Sequence, residues 1–300
     1  MATATKEYVL RLEGKELSIT NPDKPLWPEA GVTKLRYLQY LIEVSPYFLA
    51  YSKNRLLTVI RYPHGIQDKS FYQKNIPDYA PDWIKTAEWE NTRYVLLNDL
   101  PTMIWMANQA ALEWHISFHE AHNDLPTELV FDLDPSTAEF GPVIEAALQL
   151  KEVLDELRLP GYIKTSGASG MQVYVPIKRQ YSFEQTREVG QFIATYLTQK
   201  YPKTITIERL VKNRGTKLYV DYLQHWRGKT LAAPYSTRAK PQATVSTPLT
   251  WDEVPQIHPT DFTVETVPAR IKTKGDLFHP LLEADKQVSL DPILDFLKKK

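Results

Sequence analysis

The chain has 300 residues, and its 36 Lys or Arg side chains balance 36 Asp or Glu, so the formal net charge is zero. That balance excludes indiscriminate electrostatic attachment to nucleic acid, while leaving room for local basic patches. Apolar residues make up 43% of the chain, enough for a sizeable core and too many for a disordered one, and the absence of cysteine excludes disulfides, thiolate zinc sites and a catalytic thiol.

In chain order, Tyr8 to Leu12 and Leu17 to Thr20 alternate as a hairpin around Gly14, and Asn21-Pro22-Asp23-Lys24 reads as a turn. Thr33 is the expected N-cap of a helix from about Lys34 to Val44, with Leu35, Leu38, Leu41 and Ile42 on its buried side. Leu56 to Tyr62 and Arg93 to Leu97 are strands, and Pro101 opens a helix. Glu113 to Ile116 and Glu128 to Asp134 follow as strands, then a helix from Phe140 to Leu157. Two short strands, Gly161 to Lys164 and Gln172 to Pro176, flank a Gly-Ser-rich turn. A helix from Phe183 to Lys200 precedes strands at Thr204 to Ile207 and Lys217 to Leu223, and the Pro-rich C-terminal part holds one or two helices. Long helices between strands, with no linker, predict an α/β or α+β chain with a mostly antiparallel or mixed sheet. The expected organisation is one unit spanning 1–300, with an N-terminal module of about residues 1–125 packed on a catalytic core of about residues 126–300. No stretch approaches the ~20 apolar residues of a spanning helix, and the N-terminus lacks the apolar core of a signal peptide. A soluble, cytoplasmic protein without membrane partners is expected.

Three carboxylates carry the chemistry. Asp132 and Asp134 lie in Leu129-Val130-Phe131-Asp132-Leu133-Asp134-Pro135, and Asp221 lies in Leu218-Tyr219-Val220-Asp221-Tyr222. Side chains two apart on a strand share a face, so Asp132 and Asp134 project together. Two carboxylates about 4 Å apart repel by roughly 4 kcal/mol at an effective dielectric near 20, so a positive partner or a proton must be present. A divalent cation, completed by a third acid from a neighbouring strand, is the simplest solution. Between Tyr201 and Lys240 nine basic residues stand against Glu208 and Asp221, a local patch suited to a polyanion. The turn Thr165-Ser166-Gly167-Ala168-Ser169-Gly170 can aim backbone N–H groups at a phosphate, although no Walker sequence follows. Acids, basic segment and turn together suit nucleotidyl transfer at two metal ions.

Taken in order, several segments resemble the polymerase domain of bacterial ligase D, within the archaeo-eukaryotic primase superfamily. They are Asn21-Pro22-Asp23-Lys24, Trp27-Pro28, Gly31-Val32-Thr33-Lys34, Arg61-Tyr62-Pro63-His64-Gly65, Gln109-Ala110-Ala111-Leu112-Glu113, Phe131-Asp132-Leu133-Asp134-Pro135, Thr165-Ser166-Gly167, Val220-Asp221-Tyr222-Leu223-Gln224, Ala233-Pro234-Tyr235-Ser236 and Thr247-Pro248-Leu249-Thr250-Trp251. The resemblance implies a primase-type α+β fold. It implies DNA-end extension and gap filling in non-homologous end joining, with ribonucleotides preferred and manganese, or magnesium, at a two-metal site. It makes Asp132, Asp134 and Asp221 the catalytic metal ligands, and Lys24 and Lys34 the contacts to the 5′-phosphate of a DNA end. Phe71 and Tyr72, which by residue type alone read as core, become a pair that stacks on template bases. His115, Ser166, Gly167, Gln172, Gln224, Lys229 and Arg238 fall at nucleotide-contacting positions, and Arg214 at a DNA-contacting one. Nucleoside triphosphates, a Ku-type end-binding protein and a separate DNA ligase are the implied partners, in a nucleoid-associated setting.

The chain departs from the superfamily pattern at Gln172, where many members carry His, at Ser169, where they carry Lys, and at His225, where some carry Asn. A Gln donates a hydrogen bond but is never cationic, so nucleotide binding is expected to lean on Arg238 and Lys229. Two other readings use the same residues: a non-catalytic module that bridges DNA ends, and a metal-dependent phosphoesterase. A glycosidase is disfavoured, because its two acids must flank a sugar whereas Asp132 and Asp134 share one strand face.

Overall fold

The computed structural model describes residues 8–299. In chain order its strands are β1 (Tyr8–Leu12), β2 (Lys15–Ile19), β3 (Pro25–Trp27), β4 (Val32–Thr33), β5 (Arg55–Arg61), β6 (Phe71–Gln73), β7 (Thr86–Trp89), β8 (Thr92–Val95), β9 (Ala111–Glu120), β10 (Glu128–Asp134), β11 (Tyr162–Thr165), β12 (Met171–Pro176), β13 (Ile205–Thr206), β14 (Leu218–Asp221), β15 (Thr230–Ala232) and β16 (Pro248–Leu249). The α-helices are α1 (Lys34–Ser52), α2 (Leu100–Asn108), α3 (Gly141–Glu156), α4 (Phe183–Lys200), α5 (Val211–Arg214), α6 (Val267–Lys274) and α7 (Asp291–Leu297). They pack as two compact units. The first runs up to Ile116 and takes back Leu231–Ser246 and Thr260–Gly275; the second holds Ser117–Thr230, Thr247–Pro259 and the chain from Asp276 on. The break falls inside β9, and the two returning segments are ones that a single boundary near residue 125 does not contain.

In the first unit, Thr33 caps α1 by accepting the amide of Arg36 at 3.3 Å. The helix runs eight residues past the expected end at Val44, through Pro46 to Ser52. Its buried stripe is Tyr37, Leu38, Tyr40, Leu41, Val44 and Phe48. Leu35 and Ile42, expected on that side, are 43% and 36% exposed. Aromatic side chains set the phase of the stripe, and a reading that follows only Leu and Ile rotates it. Helix α2 packs on α1 and on β2. A four-stranded sheet runs in the order β15-β9-β5-β6, with β6 at its edge.

The second unit is built on a six-stranded sheet ordered β13-β14-β10-β12-β11-β16. Every pairing in it is antiparallel except β13 with β14. Strand β10 occupies the expected Glu128–Asp134 and lies between β14 and β12. Its odd-numbered residues, Leu129, Phe131 and Leu133, are fully buried, and α3 and α4 both pack on this strand. Burying one such side chain contributes roughly 1.5–3 kcal/mol. The even-numbered Asp132 and Asp134 therefore point to the other face. Among the described residues, no helix is long and apolar enough to cross a membrane.

The turn from β11 to β12 closes against β10. A Cβ on Gly170 would stand 2.3 Å from the carbonyl oxygen of Leu133, a backbone atom that cannot swing aside. Gly170→Ala is expected to push the turn off β10 at a cost of about 1–3 kcal/mol, read as a lowered thermal midpoint. A midpoint equal to wild type would show that the turn moves freely.

Candidate active site

Antiparallel register builds the site. Asp132 on β10 stands opposite Asp221 on β14 and, on its other side, opposite Gln172 on β12; Gln172 stands opposite Lys164 on β11. Directly opposed residues share a face, so Lys164, Gln172, Asp132 and Asp221 form one row across four strands. Asp134, two residues along, shares that face.

The row is hydrogen-bonded from one end. Lys164, fully buried, donates its ammonium to Oε1 of Gln172, and Nε2 of Gln172 donates to Oδ1 of Asp132 at 3.1 Å. At the far end, Oδ1 of Asp221 accepts the amides of Leu223 and Gln224, each at 2.9 Å. Burial raises the pKa of Asp132, and the neighbouring charges of Asp134 and Asp221 raise it further, against the Gln172 hydrogen bond and Lys164. Asp134 is raised by burial and by Asp221, and Arg214 opposes that shift. Arg214 is fixed by hydrogen bonds to the carbonyls of Glu208 and Arg209, both 2.8 Å, with its guanidinium 3.8 Å from the centre of the Tyr219 ring.

Among the described residues, no three Asp, Glu or His side chains already close around a common metal position. The chemistry of the donors nevertheless fits a divalent ion. Three carboxylates on adjacent strands are hard oxygen donors of the kind that hold magnesium or manganese. Burial and mutual repulsion push two of them toward the protonated form, a bias that a divalent charge reverses.

The other expected residues of this unit have defined partners. Ser166 Oγ accepts the amides of Ala168 and Gly170, both at 3.1 Å, so these two donors face the turn's own side chain. Gly167, at φ +70°, supplies the left-handed residue of the turn. Gln224 donates Nε2 to the Thr230 carbonyl at 2.9 Å, and Lys229 donates to the Leu223 carbonyl at 2.8 Å, bracing the loop after Asp221. His225 is buried between Phe118 and Phe183, and its Nε2 lies 3.1 Å from Thr186 Oγ1. Burial, and secondarily the charge of Arg187, lower its pKa to about 3, so it is a neutral packing residue.

The first unit holds a second group around Glu113. This buried carboxylate accepts from Nε of Arg238 at 2.9 Å and from the amide of Ala239 at 3.0 Å, and it lies 3.3 Å from Nε2 of His115. Burial pushes its pKa up, but the His115 hydrogen bond, the Arg238 charge and the Ala239 amide outweigh burial and hold it at about 2. Lys34, 4% exposed, donates to the carbonyls of Thr20 and Asn108, both at 2.7 Å. Burial and the nearby charge of Lys24 lower its pKa to about 8. Lys24 itself donates to the Pro63 carbonyl. Phe71 and Tyr72 are surface residues, 46% and 73% exposed, and not core. They alternate along the edge strand β6, so they project from its two opposite faces.

Glu113 and Lys164 were not singled out in the sequence. The signal that marked the aspartates, a charge inside an apolar β-prone run, is present at both: Ala110-Ala111-Leu112-Glu113-Trp114 and Tyr162-Ile163-Lys164-Thr165.

The mostly antiparallel sheets with helices packed on them make this an α+β fold, and its match to a solved ligase D polymerase domain makes it one of the primase type. It belongs to the LigD primase-polymerase domain family, which it matches over residues 33–278. It is 43% identical, over 95% of its length, to the bifunctional non-homologous end joining protein LigD of Bacillus subtilis (strain 168), covering 47% of that protein. It is 30% identical, over 92% of its length, to the multifunctional non-homologous end joining protein LigD of Mycolicibacterium smegmatis, covering 37% of that one. The chain thus spans less than half the length of these two relatives. In structure it is similar to the polymerase domain of Mycobacterium tuberculosis ligase D, solved in complex with DNA. The TM-score is 0.83 at 30% identity, over 88% of this chain and 97% of that one.

The depressed pKa of Glu113 has a consequence for stability. A carboxylate at about 2 when folded and near 4.5 when unfolded stabilises the fold fully above pH 4.5 and loses that contribution as pH falls toward 2. The contribution is on the order of 3 kcal/mol. The stability advantage of wild type over Glu113→Gln is therefore expected to shrink between pH 5 and pH 2 in denaturant titrations. A constant difference across that range would remove the ionised Glu113 network.

Proposed function

We propose that this chain extends the 3′-hydroxyl of DNA ends with nucleoside triphosphates, as a gap-filling and end-extending polymerase of bacterial non-homologous end joining. The observation that carries the reading is the direct pairing of Asp132 with Asp221, with Asp134 on the same face, in a chain of the LigD primase-polymerase family. Two divalent ions held by these acids, manganese or magnesium, would supply activation of the primer hydroxyl and stabilisation of the leaving pyrophosphate. The protein's own part is to hold the oxygens in place. Gln172 fixes Asp132, the amides of Leu223 and Gln224 fix Asp221, and Arg214 offsets the charge of Asp134. His115 and Arg238, aligned by Glu113, are assigned to the nucleotide, and Ser166, Gly167, Gln224 and Lys229 shape the loops in which they themselves sit. Ribonucleotides are the proposed preferred substrates, and a Ku-type end-binding protein and a DNA ligase activity the proposed partners.

Lys24 and Lys34 are assigned to the 5′-phosphate. Burial first, and the charge of Lys24 second, lower the pKa of Lys34, and a doubly charged phosphate beside them would oppose both effects. Phosphate contacts release counterions, so binding should weaken with salt.

Two experiments test this. On a gapped duplex with a 5′-phosphate, given manganese and ribonucleotides, wild type should lengthen the primer and Asp134→Ala should not. Absence of product from wild type overturns the polymerase reading, and equal product from the variant overturns the role of the acids. The second measures binding of 5′-phosphorylated against 5′-hydroxyl ends. The preference should be full at pH 7, where Lys34 is charged, and should decline above about pH 8, its pKa in the free protein. A preference unchanged at pH 10, or retained by Lys34→Met, assigns the phosphate elsewhere.

A further inference from the structure

The loop that follows Asp221 has two sides. Inward, the amides of Leu223 and Gln224 donate to Oδ1 of Asp221, and the side chains of Gln224 and Lys229 close the loop on the carbonyls of Thr230 and Leu223. Outward, three of its residues rest on α4. Tyr222 packs at Gly190, where an added Cβ would stand 3.7 Å from the Tyr222 Cβ. His225 places Nε2 3.1 Å from Thr186 Oγ1 and its ring 5.4 Å from that of Phe183. Trp226 meets the Phe183 ring at 6.1 Å, and the guanidinium carbon of Arg187 lies 3.3 Å from the centre of the Trp226 ring. Phe183, Thr186, Arg187 and Gly190 recur at i, i+3, i+4 and i+7, so they form one stripe along the helix.

Arg187 is the unusual member of that stripe. Among the described residues, nothing accepts a hydrogen bond from its buried Nε. Burial lowers its pKa. A desolvated donor without a partner opposes folding, and an aliphatic side chain would fill the same space without that penalty. What a guanidinium adds is a flat cationic face against an indole. Seating Trp226 is therefore its contribution. The two amides that reach Asp221 belong to Leu223 and Gln224, which lie between Tyr222 on one side and His225 and Trp226 on the other. Both flanks of that short segment are held by the helix, and the acid is aimed by what lies between them.

We propose that Arg187 and Trp226 are positioning residues for Asp221. Their stack latches the loop to α4, and the latched loop presents the Leu223 and Gln224 amides that orient the carboxylate. Both act through the loop backbone, from the side of α4. With the latch open, the two amides are free to move off Oδ1, and Asp221 is free to turn out of the row it forms with Asp132. The inference rests on the reading of Asp221 as a metal ligand.

The test measures manganese binding by the electron paramagnetic resonance of the free ion. Protein, ribonucleoside triphosphate and a gapped duplex are present, and the primer ends in a 3′-deoxynucleotide so that no bond forms. Trp226→Ala should weaken manganese binding about fivefold, the order expected of one cation–π contact. Trp226→Phe keeps a ring over the guanidinium and should stay close to wild type. Arg187→Lys keeps the charge but not the flat face, so it should weaken binding as Trp226→Ala does. The two changes together should be no worse than either alone, because they break one contact. With an extendable primer, Trp226→Ala should need more manganese yet approach the wild-type kcat at saturation. Unchanged manganese affinity in Trp226→Ala overturns the inference, even where the thermal midpoint falls, since that pattern marks packing alone. Additive losses in the double variant, or wild-type affinity in Arg187→Lys, overturn it as well. A wild type that binds no manganese, or an Asp221→Ala that binds it as wild type does, overturns the reading of the acid site and the latch with it.

Discussion

Like charges placed side by side in an apolar sheet are the constraint around which the second unit is organised. Antiparallel pairing of β10 with β14 puts Asp132 opposite Asp221 by backbone geometry alone. Once Leu129, Phe131 and Leu133 are committed to the helix-covered face, the acids have no other face to occupy. A slip of one residue would exchange the two sets and bury the charges under α3 and α4. The hydrophobic residues of β10 therefore hold the carboxylates together as firmly as they hold the strand down. The raised pKa values of Asp132 and Asp134 record the electrostatic cost.

The first unit solves a related problem with the signs reversed. Glu113 is a single buried acid surrounded by donors, and its pKa is depressed. It bonds Arg238 and the Ala239 amide, which arrive on a segment more than a hundred residues later in the chain. One carboxylate thus aligns two residues assigned to the nucleotide, His115 and Arg238. Removing it would leave the partly buried Arg238 without its anion, a larger disturbance than losing one exposed ion pair.

What could be read from the sequence follows from how local each feature is. The extents of β10 and α4 were legible because an alternating or 3.6-residue pattern and a terminating residue lie within the segment itself. The pairing of Asp132 and Asp134 was legible for the same reason. The phase of α1 was not, because Tyr37, Tyr40 and Phe48 turn inward only in the presence of their tertiary partners; Tyr40, for one, reaches the Tyr235 carbonyl. The strand β6 is three residues long and carries too little pattern to register. Phe71 and Tyr72 look like core by type, and only an edge strand with alternating faces explains why both are exposed and why they separate. The discontinuous first unit was illegible because residues 231–246 and 260–275 join it through non-local pairing.

Gln172 shows why a substitution is better judged in the sheet than in the alignment of a motif. Read in sequence, a neutral amide in place of an imidazole keeps a donor to phosphate but loses the possibility of a positive charge. In the folded chain the amide is 2% exposed and lies between a lysine and an aspartate. An amide has one accepting and one donating end. Lys164 takes the accepting end, so the donating end must face Asp132. A buried ammonium with no partner would be prohibitive; here its charge acts on Asp132 through an oriented dipole. The face then carries three carboxylates against Lys164 and Arg214, a residual negative charge. An acid site neutralised completely from within would have little to offer a cation, and one left with no positive groups would hold protons instead. The intermediate balance is the condition under which buried carboxylates exchange their protons for metal.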